Sequence, residues 1–130
     1  MSAILLDTSG YSALARNHAG VVDSLSEAES IFMTPIVLGE LLAGFYKGTR
    51  FDRNEKLLRT FLEKEDVQVL TIEKETSERY AAIYDFLRKA GTPVSPNDLW
   101  IAASAMQHGL RIVTTDSDFK KIPQIIASIF

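Results

Sequence analysis

The sequence predicts one α/β domain built on a parallel β-sheet with helices on both faces. Three observations lead there. Short apolar runs such as Ile4-Leu5-Leu6 and Ile31-Phe32 lack polar alternation, as strands buried on both faces do. Longer segments of helical period separate them, so successive strands need crossover connections and run parallel. The 130 residues contain no repeat, linker or low-complexity stretch, which predicts a single domain spanning 1–130.

In chain order, Ala3 to Leu6 reads as a strand stopping at Asp7, and Thr8 to Leu25 as one or two helices broken near Asn17–Gly20. Ile31 to Met33 is a second strand. Thr34 is a natural N-cap and Pro35 suits the first helical position, so a helix runs from Pro35 to about Tyr46, ending towards Gly48. Another covers Phe51 to Lys64. Val67 to Leu70 is a third strand, and Glu73 to Lys89 a long amphipathic helix stopped by Gly91 and Pro93. Asn97 to His108 is a helix ending at Gly109. Ile112 to Thr114 is a fourth strand leading into the turn Asp116-Ser117-Asp118, and Gln124–Phe130 can hold a short fifth.

Composition bounds the chemistry. With 46% hydrophobic and 24% charged residues, the chain has the make-up of a soluble globular domain. The absence of Cys excludes disulfides, thiolate metal sites and cysteine nucleophiles, and fits a cytoplasmic protein. The stretch from Met1 to Asp7 has no basic region and meets an acid too early for a signal peptide. No apolar run is long enough to span a bilayer. Against 17 acidic residues stand 14 Lys and Arg, a net charge of −3. That balance opposes binding by bulk phosphate-coating, but not a nuclease whose own acids are neutralised by divalent cations.

The acids fall where a parallel sheet puts ligands, beyond the carboxyl ends of the strands. Asp7 directly follows the first strand, and Asp116 lies two residues beyond the fourth. Glu40 sits in the helix after the second strand, and Asp98 opens the helix that feeds the fourth. Taken singly, Asp7 and Asp98 (with Asn97) can be helix caps, and Asp116 an ordinary turn former. Glu40 differs. It lies in Pro35-Ile36-Val37-Leu38-Gly39-Glu40-Leu41-Leu42-Ala43-Gly44-Phe45, with no Lys or Arg at positions 36, 37, 43 or 44. Burial there without a partner is costly, and a metal ion is one partner that answers it. Converging carboxylates repel one another unless cations neutralise them, and oxygen ligands suit Mg²⁺ or Mn²⁺.

Four segments together resemble a known family: Leu5-Leu6-Asp7-Thr8-Ser9, Ile36-Val37-Leu38-Gly39-Glu40-Leu41, Asn97-Asp98-Leu99-Trp100-Ile101-Ala102-Ala103 and Val113-Thr114-Thr115-Asp116-Ser117-Asp118-Phe119. Their order is similar to the motifs of PIN-domain ribonucleases, and length and spacing look most like the VapC-type toxins of bacterial toxin–antitoxin pairs. The resemblance implies a Rossmann-like sheet and Mg²⁺- or Mn²⁺-dependent endonucleolytic cleavage of RNA, with transfer or ribosomal RNA as substrate. Asp7, Glu40, Asp98 and Asp116 match the family's acidic quartet. Thr8 or Ser9 matches its hydroxyl beside the first acid, and Asp118 a further acid of the last motif. It also implies a VapB-type antitoxin that lays a helix in an apolar groove, and a homodimer.

On this reading Asp7 and Asp98 are the closest metal ligands, with Glu40 and Asp116 completing the site directly or through water. Whether one ion or two is bound stays open. Thr8, Ser9, Thr115 and Ser117 flank the acids and can orient ligands, or simply cap and turn. Lys47, Arg50 and Arg53, followed by Lys56 and Arg59, form a candidate patch for RNA phosphates or a solvated face balanced by Asp52 and Glu55. Trp100 is expected to pack in the core rather than stack on a base. His18 and His108 receive no catalytic role. Phe45, Tyr46, Phe51, Leu57, Leu58, Phe61 and Leu62 make two unusually apolar helices, suited to hold an antitoxin helix. The alternatives are a housekeeping PIN nuclease and a non-catalytic RNA-binding module of the same fold.

Overall fold

A computed structural model describes residues 2–130. The element order is β1 (Ala3–Leu6), α1 (Thr8–Ala15), α2 (Ala19–Glu27), β2 (Ser30–Met33), α3 (Pro35–Lys47), α4 (Phe51–Leu62), β3 (Val67–Val69), α5 (Lys74–Ala90), α6 (Pro96–His108), β4 (Arg111–Thr114) and β5 (Ile126–Ile129). A 3₁₀ turn, Ser117–Lys121, joins the last two strands. All five strands pair in parallel in the order β3-β2-β1-β4-β5. The fifth strand exists, and it extends one edge beside β4.

Local chemistry accounts for the boundaries. Asn17 at φ 58° breaks the first helical segment, and His18 caps α2 by accepting from Val21 N–H through Nδ1 at 3.3 Å. Thr34 caps α3, its hydroxyl accepting from Val37 N–H at 3.3 Å, with Pro35 at the first turn. Gly91 and Gly109 end α5 and α6 with φ of 72° and 64°, left-handed positions that cost glycine little. One expectation is corrected here. The last long helix begins at Pro96, not Asn97, because Ser95 caps it through its hydroxyl, which accepts from Asp98 N–H at 3.2 Å. Asp98 lies inside the first turn and is not the cap.

The centre of the sheet is dry. Ile4, Leu5, Leu6 and Ile112 have no exposed surface, so both faces of β1 and β4 are covered, as a parallel sheet requires. Phe119 of the 3₁₀ turn closes the core beyond β4. Running outward from β1, the strands go to β2 and β3 on one side and to β4 and β5 on the other. The chain therefore reverses its winding between β1 and β4. A reversal of this kind splays the flanking connections apart and leaves a crevice at the carboxyl ends of those two strands.

Candidate active site

Asp7 stands at that crevice, at the end of β1, and is 3% exposed. Its Oδ1 accepts from Gly10 N–H at 2.7 Å and so caps α1. Its Oδ2 accepts from the Thr114 hydroxyl at 2.6 Å. Ser9 Oγ donates to the same carboxylate at 3.1 Å, lies 3.0 Å from Thr114 Oγ1, and accepts from Thr115 N–H at 3.0 Å. Capping and site-building are thus one arrangement, and the two readings of Asp7 do not compete. Thr114 is the residue that sequence reasoning passed over, choosing its neighbour Thr115, which contributes only a backbone N–H to Ser9. The signal was in the register. Leu6 pairs with Val113, so the next residues along, Asp7 and Thr114, stand side by side at the strand ends.

Glu40 is half-buried rather than sunk in the core, and it has partners. Thr8 Oγ1 donates to Oε1 at 2.6 Å, and Asn97 Nδ2 donates to Oε2 at 3.1 Å. A metal ion is thus not the one partner available to this carboxylate: two neutral donors from α1 and α6 already bond to it. They also tie three elements together at the crevice, which turns Asn97 from a supposed cap into the residue that orients Glu40.

The tightest convergence of acids comes from α6 and the turn after β4. Asp98, Asp116 and Asp118 each offer a carboxylate oxygen, all within 4.8 Å of one another. Asp116 Oδ1 accepts from Asp118 N–H at 2.9 Å, and Asp116 N–H donates to Thr114 Oγ1 at 2.9 Å. Asp118 also pairs with Lys121 at 3.1 Å. Asp118 therefore stands among the converging oxygens, closer than its expected supporting place, and Asp7 is anchored just behind them.

The electrostatics bind the four expected acids into one group. Burial is the largest cause pushing the Asp98 carboxyl up to about 6, and the charges of Asp116, Asp7 and Glu40 add to it while the Ser95 hydroxyl opposes. Asp7 is also raised, mainly by burial and further by Asp116, against the hydrogen bonds from Thr114, Gly10 and Ser9. Carboxylates that raise one another's affinity for protons form a site short of positive charge.

The PIN domain family model matches residues 4–125. The chain belongs to the PIN-domain family. Its relatives include Ribonuclease VapC4 of Mycobacterium tuberculosis, 33% identical over 90 residues and covering 69% of each chain. Ribonuclease VapC of Rickettsia bellii is 33% identical over 125 residues, covering 94% of this chain and 92% of that protein. Among solved structures, DNA-bound VapBC from Salmonella typhimurium contains a chain that superposes with a TM-score of 0.85 at 26% identity, covering 98% of both.

In this PIN domain Lys47, Arg50 and Arg53 are exposed at the corner where α3 gives way to α4. Arg59 is engaged with Glu55 at 3.3 Å, further along α4. Tyr46 at the same corner is 74% exposed and stacks on Phe51, ring centroids 4.1 Å apart. Trp100 packs on Tyr80 of α5, centroids 4.4 Å apart, and so belongs to the α5–α6 contact. Of the apolar residues in α3 and α4, Val37, Leu41, Leu58 and Phe61 enter the core, while Leu57 stays 50% exposed. Leu57 and Phe61 join Tyr11 and Leu14 of α1 in lining a groove of about 310 Å³.

Proposed function

We propose that this PIN-domain chain is a VapC-type toxin, an endoribonuclease that hydrolyses phosphodiesters of structured RNA with Mg²⁺ or Mn²⁺ at its acidic crevice. The observation that carries the reading is the convergence of Asp98, Asp116 and Asp118 within 4.8 Å, backed by buried Asp7 and hydrogen-bonded Glu40. Three carboxylates at that spacing suit a hard divalent cation. Among the described residues, Lys121 is the one cation in ion-pair contact with them. When bound, Mg²⁺ or Mn²⁺ acidifies a water and places positive charge beside the phosphoryl oxygens.

In this reading Asp7, Asp98 and Asp116 would hold the ion, with Glu40 and Asp118 completing the site. Ser9 and Thr114 keep the Asp7 carboxylate in one orientation, and Thr115 supports Ser9 through its N–H. Glu40, steadied by Thr8 and Asn97, is the group available to take a proton from the attacking water. The water oxygen would bond to phosphorus as the phosphorus–oxygen bond to the leaving group breaks, and the leaving oxygen would take up the proton that Glu40 accepted, directly or through solvent. Lys47, Arg50 and Arg53 would hold neighbouring phosphates. Transfer RNA and ribosomal RNA are the substrates to which the family resemblance points.

The same reading gives the chain a VapB-type antitoxin, whose apolar helix face fits the groove between α1 and α4, and a homodimeric state. The whole of 1–130 acts as one domain, in the cytoplasm. Among the described residues no helix is long and apolar enough to cross a membrane. The deciding experiment induces wild type, Asp7→Asn and Asp98→Asn side by side and maps RNA ends. Wild type should arrest growth and cut a narrow set of RNAs while neither variant does so. Equal toxicity of all three sinks the reading.

A further inference from the structure

The acidic centre carries its own cation. Ser117–Lys121 is a 3₁₀ turn, and at three residues per turn positions i and i+3 stand one above the other. Two such pairs mark this segment. Phe119 and Ile122 are buried and pin the turn against the core. Asp118 and Lys121 form the outward pair, with the ammonium 3.1 Å from Asp118 Oδ1. The Asp116 carboxylate fixes the start of the turn by accepting from Asp118 N–H at 2.9 Å. Asp118 belongs in turn to the carboxylates that converge within 4.8 Å. Packing of the turn therefore holds a lysine at the rim of the crevice, one ion-pair contact from the cluster.

An exposed pair of this kind stabilises a fold little, and the side chains of Lys121 and Asp118 are 41% and 45% exposed. Its place matters more than its strength. Asp7, Glu40, Asp98, Asp116 and Asp118 put five carboxylates in and around the crevice, and one divalent cation does not balance them. An RNA phosphate brought there meets an excess of negative charge, inside the roughly 10 Å over which 0.1 M salt screens. A lysine, with a flexible four-carbon stem and three rotatable donors, is suited to reach a phosphate oxygen as a point charge. In the structure that ammonium is held by Asp118. The ion and Lys121 thus compete for one carboxylate.

On the ribonuclease reading above, we propose that Lys121 is a substrate-contacting cation of this site, held on Asp118 until a divalent ion takes over that carboxylate and frees the ammonium for an RNA phosphate. Asp118 is the exchange point. Paired with Lys121, it adds no net charge to the crevice; drawn to the ion, it gives up the lysine where the phosphate arrives. Metal binding and RNA binding are coupled through this side chain, and by linkage each favours the other. Lys120, adjacent in sequence, is exposed and in no ion pair among the described residues, and takes no part in the exchange.

Wild type, Lys121→Met, Lys121→Arg and Lys120→Met are compared in two titrations. Mn²⁺ binding is measured by calorimetry without RNA. Binding of a fluorescent RNA hairpin is measured once in EDTA and once in Ca²⁺, used to limit cleavage. With the competing ammonium removed, Lys121→Met should bind Mn²⁺ about two- to fivefold more tightly. It should bind the hairpin about tenfold more weakly in Ca²⁺, yet match wild type in EDTA. Lys121→Arg should return hairpin binding in Ca²⁺ to within about threefold of wild type. Lys120→Met, which removes the same charge one residue away, should leave Mn²⁺ affinity unchanged, and any loss of hairpin binding should be equal in EDTA and Ca²⁺. Unchanged or weaker Mn²⁺ binding by Lys121→Met overturns the proposal, the weaker case assigning Lys121 to the orientation of Asp118. Hairpin binding that Lys121→Met loses equally, or not at all, in the two media overturns it as well. Wild type that binds Mn²⁺ and the hairpin yet cuts no RNA refutes the ribonuclease reading and leaves the Lys121 result standing.

Discussion

Asp98→Asn should stabilise the metal-free protein at neutral pH while destroying its activity. In the folded chain the Asp98 carboxyl titrates at about 6 in place of its ordinary 3.8. The folded state therefore holds this proton more tightly than the unfolded chain. The resulting penalty is absent below pH 3.8, grows between 3.8 and 6, and is fully present above 6. A displacement of that size corresponds to about 3 kcal/mol. Asp98 is only half-buried, and solvent screening reduces the figure to about 1–2 kcal/mol. In urea denaturation with EDTA at pH 7.5, the Asn variant should unfold at higher denaturant with an unchanged slope. The gap should close by pH 4. Excess Mn²⁺ should reverse the order, because ligand at a hundred times its dissociation constant adds about 2.7 kcal/mol to a protein that binds it. A variant less stable than wild type at pH 7.5 in EDTA, or a gap that does not change with pH, refutes the account of Asp98 as an acid strained by burial and by its acidic neighbours.

Further expectations follow from individual contacts. Thr114→Val removes the 2.6 Å hydrogen bond to buried Asp7 and should cost about 1–3 kcal/mol in urea denaturation, with loss of cleavage; wild-type stability would rule out the structural part. Thr8→Val frees one side of Glu40 and should lower kcat with little change in melting, whereas Thr8→Ser should restore it; equal kcat in both variants would show that the hydroxyl is dispensable. Gly10→Ala places a Cβ 2.4 Å from Val113 O and 2.8 Å from Leu6 Cδ1, against the backbone of a central strand. A loss of at least about 1–3 kcal/mol is expected in thermal melting. Gly39→Ala, with open space around it, should instead gain about 0.5–1 kcal/mol in the same melt.

The periodicity of the apolar residues marked the order and type of most elements, because two-sided burial and one-sided burial leave different patterns in a chain; it left open whether Thr8 to Leu25 holds one helix or two, and it missed the 3₁₀ turn at Ser117–Lys121. It also marked Asp7 and Asp116 as residues at strand ends, which is where parallel sheets place their ligands. The sequence misjudged matters that depend on which side chains meet in space. Glu40 looked stranded because its own helix carries no cation, yet its donors come from Thr8 and Asn97, 32 and 57 residues away in the chain. Thr114 looked like an ordinary strand residue until the β1–β4 pairing put its hydroxyl on Asp7. Asp98 looked like a cap, and Ser95 took that role because Pro96 occupies the first helical position. Which acids lie closest together was likewise beyond local pattern. Asp98, Asp116 and Asp118 converge because α6 feeds into β4 and the turn after β4 folds back across its end. Propensity and period act over a few residues, so the sequence could establish that this PIN domain gathers acids at one edge of its sheet. Only tertiary packing decides their spacing, their donors and the charge each can bear.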